Sequence, residues 1–88
     1  MDYERNSNLL KAMAHPVRLK MIKMLMDDEC CVTDVTNALK VSQSTSSQHL
    51  GILKNTGIVY PKKYGTKTCY MVTNKIARKI INILEKEK

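Results

Sequence analysis

The sequence predicts a mainly helical α+β fold, in which four short helices are followed by a β-hairpin and a closing helix. Three observations lead there. Apolar residues recur every three or four positions in the segments before Asn55 and again after Asn74, as amphipathic helices require. Residues 58–73 instead collect Val59, Tyr60, Tyr64, Thr66, Thr68, Tyr70 and Val72, β-branched or aromatic side chains, around a turn containing Gly65. No repeat, low-complexity tract or Gly/Ser linker interrupts the chain, so its 88 residues are expected to form one domain, 1–88, with tight joints.

Each element has its own local reason. Ser7 or Asn8 suits the cap of a first helix that places Leu9, Leu10, Met13 and Ala14 at helical spacing. It ends at His15, because the residue before Pro16 is driven out of the α region, and Pro16 fits the first turn of a second helix. There Val17, Leu19, Met21, Ile22, Leu25 and Met26 make a wide apolar stripe. Asp27, Asp28 and Glu29 are expected beyond its last turn, away from the negative end of the helix dipole. Thr33 caps a third helix, Asp34 to Lys40, with Val35, Ala38 and Leu39 facing inward. After Val41, Ser42 caps a fourth helix from about Gln43 to Asn55, and Gly57 supplies a left-handed stop. Two helices joined by about three residues are a helix-turn-helix unit.

Ile58 to Lys63 and Thr68 to Thr73 are the hairpin strands, with the turn over Tyr64 to Lys67. Thr73 or Asn74 caps the last helix, whose Ile76, Ala77, Ile80, Ile81, Ile83 and Leu84 are apolar around more than half its circumference. One face covers the core and the other is left over. A chain this short, without Trp or Phe, buries only about 60 to 65% of its unfolded surface. A second copy is the simplest partner for the surplus face, so a homodimer is expected.

Charge is distributed unevenly. The formal net charge is +7, yet residues 1–34 carry more acids than bases, whereas Val35 to Leu84 contains no acid. All of the excess lies in that stretch, on Lys40, Lys54, Lys62, Lys63, Lys67, Lys75, Arg78 and Lys79. Such a segment attracts polyanions, nucleic-acid phosphates above all. No apolar run approaches the roughly 20 residues that cross a bilayer, and residues 1–10 lack a signal-peptide core. A soluble cytoplasmic protein with no membrane partner is expected.

The fourth helix carries the functional signal. Ser46, Leu50 and Leu53, with His49 slightly off line, fall on one side, the side that packs on the third helix. Gln43, Ser44, Ser47, Gln48 and Gly51 fall opposite. That outer face is uncharged, short-chained and rich in hydrogen-bonding groups, whereas a solvated helix is usually filled with Lys and Glu. A helix entering the major groove needs such a face: Gln grips adenine through two hydrogen bonds, and Ser bonds base edges or phosphate. His49 borders this set and is grouped with it. Lys62, Lys63 and Lys67 flank the hairpin turn, making a wing that reaches phosphates or the adjacent minor groove; lysines also protect a strand edge.

The runs KAMAHPVRLKMIKML, CCVTDVTNALKVSQSTSSQHLGILKNTGIV and KKYGTKTCYMVT resemble the ArsR/SmtB family of small dimeric winged-helix repressors, over about residues 8–84. The resemblance implies a winged helix-turn-helix homodimer on double-stranded operator DNA, with Gln43, Ser44, Ser47 and Gln48 at the reading positions and the first and last helices paired across the dimer. It also implies release of DNA when a metal ion, metalloid or thiol-reactive species binds.

The effector segment departs from the family's pattern. Metal-sensing members carry Cys-Val-Cys-Asp where this chain has Cys31-Val32-Thr33-Asp34, and Thr33 is a poor ligand for soft metals. The last helix, Lys75 to Lys88, has neither His nor Asp. What remains is the adjacent pair Cys30 and Cys31, plus Cys69. Soft metal or metalloid ions such as Cu(I) or arsenite, oxidants and persulfides all prefer thiolates, but a buried Cys is also a common core residue. An odd count with two adjacent members does not read as a disulfide framework, so reduced thiols are expected. Cys69 alternates with Tyr70, an expected core residue, and so is expected to be partly exposed.

The sequence therefore reads as a sequence-specific DNA-binding repressor relieved by an effector. The alternative is a winged-helix module for protein contact or non-specific nucleic-acid binding without effector sensing. An enzyme is not expected: Cys-x-x-Cys, a βαβ pattern and a catalytic partner for the thiols are all missing.

Overall fold

The computed structural model describes residues 1–87 and contains, in chain order, α1 (Tyr3–Met13), α2 (Pro16–Asp27), β1 (Cys30–Cys31), α3 (Val32–Leu39), α4 (Gln43–Asn55), β2 (Val59–Tyr64), β3 (Lys67–Val72) and α5 (Lys75–Lys86). The expected helices and hairpin are present. α1 starts earlier than Ser7 or Asn8 suggested, because Asp2 already caps it: its carboxylate accepts from the Arg5 N–H at 3.0 Å, and Glu4 sits in the positive first turn. His15 is extended and caps α2 through Nδ1, which accepts from the Val17 N–H at 3.1 Å, with Pro16 next. Asp27 lies inside α2 rather than beyond it, because Lys23 one turn earlier pairs with it at 3.4 Å and offsets the dipole penalty.

α3 also begins early. Cys31 rather than Thr33 is its cap residue, and the Asp34 carboxylate accepts from the Cys31 N–H at 3.2 Å. Lys40 ends the helix in the left-handed region, φ 55°, a place more often filled by glycine. That one residue turns the chain sharply enough for α4 to start at Gln43. Val35 is buried and Leu39 half-buried, but Ala38 faces solvent, contrary to expectation. α4 has the expected bounds, with the Ser42 hydroxyl accepting from the Thr45 N–H at 3.1 Å and Gly57 at φ 80° after its end.

The hairpin turn is the two-residue pair Gly65 and Thr66, with Gly65 first at φ 65°, the order a II′ turn favours. The sheet has one strand more than expected. Two-residue β1 pairs antiparallel with β3, so the order is β1-β3-β2, with Cys30 opposite Tyr70 and Cys31 opposite Cys69. That pairing corrects the expectation of reduced thiols, since Cys31 and Cys69 are joined by a disulfide while Cys30 is free. It also corrects the expected exposure of Cys69, which is buried because β3 is the central strand, covered on both edges. A strand of two residues has no period to read, and the pairing was therefore silent in the sequence.

Met21, Ile22 and Leu25 of α2 are the centre of the core, with Val35, Leu50, Leu53, Ile58 and Ala77 fully buried around them. Leu9, Ala12 and Met13 of α1 and Ile81 of α5 close it from the two chain ends. Arg78 ties α5 down, donating through Nη2 and Nε to the Val72 carbonyl at 2.7 and 3.2 Å. Among the described residues no helix is long and apolar enough to cross a membrane.

Candidate nucleic-acid interface

The two faces of α4 are separated as the spacing predicts. Leu50, Leu53 and Ser46 are fully buried, while Gln43, Ser44, Ser47 and Gln48 are exposed on the other side. Ser46 is the one buried polar side chain among the described residues, and it is satisfied: its hydroxyl pairs with that of Thr36 on α3 at 2.8 Å. The Thr36 hydroxyl also lies 2.7 Å from the Val32 carbonyl. A polar pair at the crossing of α3 and α4 has one best register, whereas an apolar crossing slides. The rotation of α4, and hence the outward aim of its Gln and Ser side chains, is set there. At the start of the helix the Ser42 hydroxyl lies 2.8 Å from that of Thr45 and 3.3 Å from that of Ser44.

The wing stands beside this face. Lys62, Lys63 and Lys67 are exposed, and the Lys62 ammonium lies 5.8 Å from the centre of the Tyr64 ring. Tyr64 in turn donates to the Glu29 carboxylate, 3.1 Å from either oxygen. The end of β2 is thereby anchored to the loop before β1. A cleft of about 200 Å³ separates wing from helix, lined by Gln43 and Ser47 of α4, by Thr66, Lys67 and Thr68 of the wing, and by Cys31. Cys31, one half of the disulfide, therefore lines the gap between the two elements that carry the candidate contacts.

His49 differs from its neighbours. It is half-buried, with its Nδ1 3.1 Å from Nη1 of Arg18 and its ring centre 4.6 Å from that of His15. Burial, then the nearness of His15 and of the Arg18 guanidinium, hold its pKa below the ordinary imidazole value. Cys30 is shifted the other way. Burial, then Asp28 and Asp34, raise its pKa, and its thiol lies 3.6 Å from the Asp28 carbonyl. Cys30 is thus held as the less reactive thiol form.

The residues that a metal would need are not assembled. Among the described residues no group of three or more His, Cys, Asp or Glu side chains is placed to hold an ion, and Cys31 and Cys69 are bonded to each other. The contacts that sequence reasoning missed are Thr36 with Ser46, Tyr64 with Glu29, and Arg18 with His49. Each joins residues at least ten apart, and neither periodicity nor local capping couples positions at that range.

A helix-turn-helix with an uncharged outer face and a basic hairpin beside it defines a winged helix-turn-helix transcription regulator. A profile of the bacterial regulatory proteins of the arsR family matches residues 15–60, and the chain belongs to that family. An uncharacterised helix-turn-helix regulator of Methanocaldococcus jannaschii is 36% identical over 84 residues, covering 94% of each chain. The structure of HlyU from Vibrio cholerae superposes with a TM-score of 0.91 at 33% identity, over 98% of this chain and 96% of that one. The structure of the transcriptional repressor BigR from Xylella fastidiosa does so with a TM-score of 0.85 at 33% identity, over 92% and 83%. The family is one of transcription regulators, not of enzymes.

The crossing of α3 and α4 makes a direct prediction. Thr36→Val leaves the buried Ser46 hydroxyl without its partner and is expected to cost about 1 to 3 kcal/mol. Adding Ser46→Ala should recover part of that loss, because no orphaned hydroxyl remains. Denaturant unfolding of the parent, of Thr36→Val, of Ser46→Ala and of the double variant checks both; a double variant that loses the sum of the two single losses would contradict the pairing.

Proposed function

We propose that the protein is a homodimeric repressor that reads an operator with α4, and that an effector acting on its thiol chemistry changes its hold on that operator. The observation that carries the reading is the exposed, uncharged row of Gln43, Ser44, Ser47 and Gln48, aimed outward by a buried back face and flanked by Lys62, Lys63 and Lys67. In this reading Gln43 and Gln48 contact base edges, Ser44 and Ser47 contact bases or phosphate, and the three lysines contact backbone. Gln48→Ala should then weaken binding to duplex from upstream of the protein's own gene about 10-fold while hardly changing binding to random duplex. Lys63→Ala should weaken both and flatten the dependence on salt by about one unit of slope. Equal binding of the parent to the two duplexes at fixed salt would favour the non-specific module instead.

The dimer rests on apolar surface left uncovered at the two chain ends. Leu10 of α1 is about half exposed, as are Ile76, Ile83 and Leu84 of α5. Isologous contact between two copies covers this face and sets two reading helices about one turn of DNA, or a multiple, apart. Ile83→Glu should convert a dimer to a monomer in sedimentation and lower operator affinity.

Among effectors, the geometry favours thiol chemistry over a metal, since Cys31 and Cys69 are already paired and no ligand cluster surrounds them. The disulfide fastens the central wing strand to the residue that caps α3. A dithiol reductant cleaves the S–S bond, giving two thiols and its own disulfide, with two electrons and two protons transferred. The wing then loses its covalent tie beside α4. Reduction is expected to weaken operator binding by about 5-fold or more, within the roughly 1 to 3 kcal/mol typical of such coupling. A Cys31→Ser, Cys69→Ser double variant should bind like the reduced parent and ignore the reductant. A double variant that still responds would shift the effect to Cys30.

A further inference from the structure

We infer that Arg18 is a positioning residue for DNA recognition, a pin that holds the reading helix against the corner between α1 and α2 by donating to a neutral His49. This rests on the DNA-reading role proposed above. Arg18 is half-buried in α2, and its guanidinium makes two contacts that lead to different elements. Nε donates to the carbonyl of Ala12 in the last turn of α1 at 2.6 Å, and Nη1 lies 3.1 Å from Nδ1 of His49 on α4. One side chain thus ties together the helix that bears the apolar Leu10 and the helix that bears Gln48.

The protonation state follows from chemistry. A guanidinium has only donors, so Nδ1 of His49 must carry a lone pair and its proton resides on Nε2. His15 is constrained the same way, because its Nδ1 accepts from the Val17 N–H. Its ring lies against that of His49, 4.6 Å between centres at 50°. The charged or titratable groups facing His49 are therefore a second imidazole and a cation. Asp2, Glu4, Arg5 and Lys11 line the neighbouring cleft with Arg18, and none of them is hydrogen-bonded to its guanidinium. A proton placed on Nδ1 would confront the guanidinium donor to donor, and the pin would open.

The direction with pH is then determined. The folded protein holds the His49 pKa below the ordinary imidazole value of about 6.5, so the unfolded chain takes up the proton first. Stability is therefore greatest above about pH 6.5 and declines below it, while the pose of α4 is lost further down, as the pH falls through the lower value that His49 has in the folded protein.

The test uses the full chain and duplex from upstream of its gene, with affinity measured between about pH 5.5 and pH 7.5 and across a salt series. Arg18→Met should lose about 10-fold in affinity at pH 7.5 with the slope of log Kd against log salt unchanged. His49→Asn keeps an acceptor oxygen near the place of Nδ1 but does not titrate. It should stay within about threefold of the parent at pH 7.5 and lack the parent's loss at pH 5.5, both in affinity and in the midpoint of thermal unfolding. A salt slope shallower by about one in Arg18→Met would make Arg18 a phosphate contact and overturn the proposal. So would an Arg18→Met affinity within twofold of the parent, or a His49→Asn profile that falls with acid as steeply as the parent's. The His49→Asn profile decides the matter even if Arg18→Met fails to fold. A parent that binds neither this duplex nor random DNA at pH 7.5 would overturn the DNA reading itself, and this role with it.

Discussion

Everything outward in this molecule depends on how the inner side of α4 is held. Leu50 and Leu53 have no exposure, and Ser46 between them and the helix start meets Thr36 across the crossing with α3. Hydrophobic burial supplies the energy of that contact, about 1.5 to 3 kcal/mol for each large apolar side chain. Burial alone does not choose a rotation, because apolar side chains accept several packings at similar cost. The hydroxyl pair chooses one. Once the rotation is set, the period of 3.6 residues carries Gln43, Ser47 and Gln48 to the opposite side without any further device.

Much of this was legible in the sequence because it is local or periodic. Ser42 three residues before Thr45, Pro16 after an extended His15, and Gly57 after a long apolar period are short-range signals, and they mark real boundaries. The division of α4 into a buried and an exposed side was legible for the same reason. The pairing of the cysteines was less so. Cys31 and Cys69 are 38 residues apart and meet only because a strand two residues long lies on β3. Lys40 in the left-handed region was equally hidden, since Lys carries no preference for it. The start of α1 was expected too late, at Ser7 or Asn8, because Asp2 already caps it, and Asp27 was expected too far out because its ion pair with Lys23 one turn away competes with the dipole rule applied by itself.

The two chain ends share a design. α1 and α5 each give one side to the core, Leu9, Ala12 and Met13 from the first and Ala77 and Ile81 from the last, and each keeps apolar residues outside. Arg18 and Arg78 serve both helices in the same way: each reaches a backbone carbonyl at the end of a neighbouring element, Ala12 in one case and Val72 in the other. Long cations here act as struts between elements rather than as surface charge, their stems packed and their heads satisfied by carbonyl oxygen.

The position of the disulfide in the chain has one more consequence. The covalent ring closed by Cys31 and Cys69 contains the whole of α3, α4 and β2. A cross-link of that span removes chain entropy from the denatured ensemble worth about 4 kcal/mol on the simple polymer estimate. The oxidised chain would therefore be harder to melt and quicker to regain its shape than the reduced one. That margin exists only while the bond is intact, so one covalent link far from either chain end governs how firmly the middle of the molecule is held.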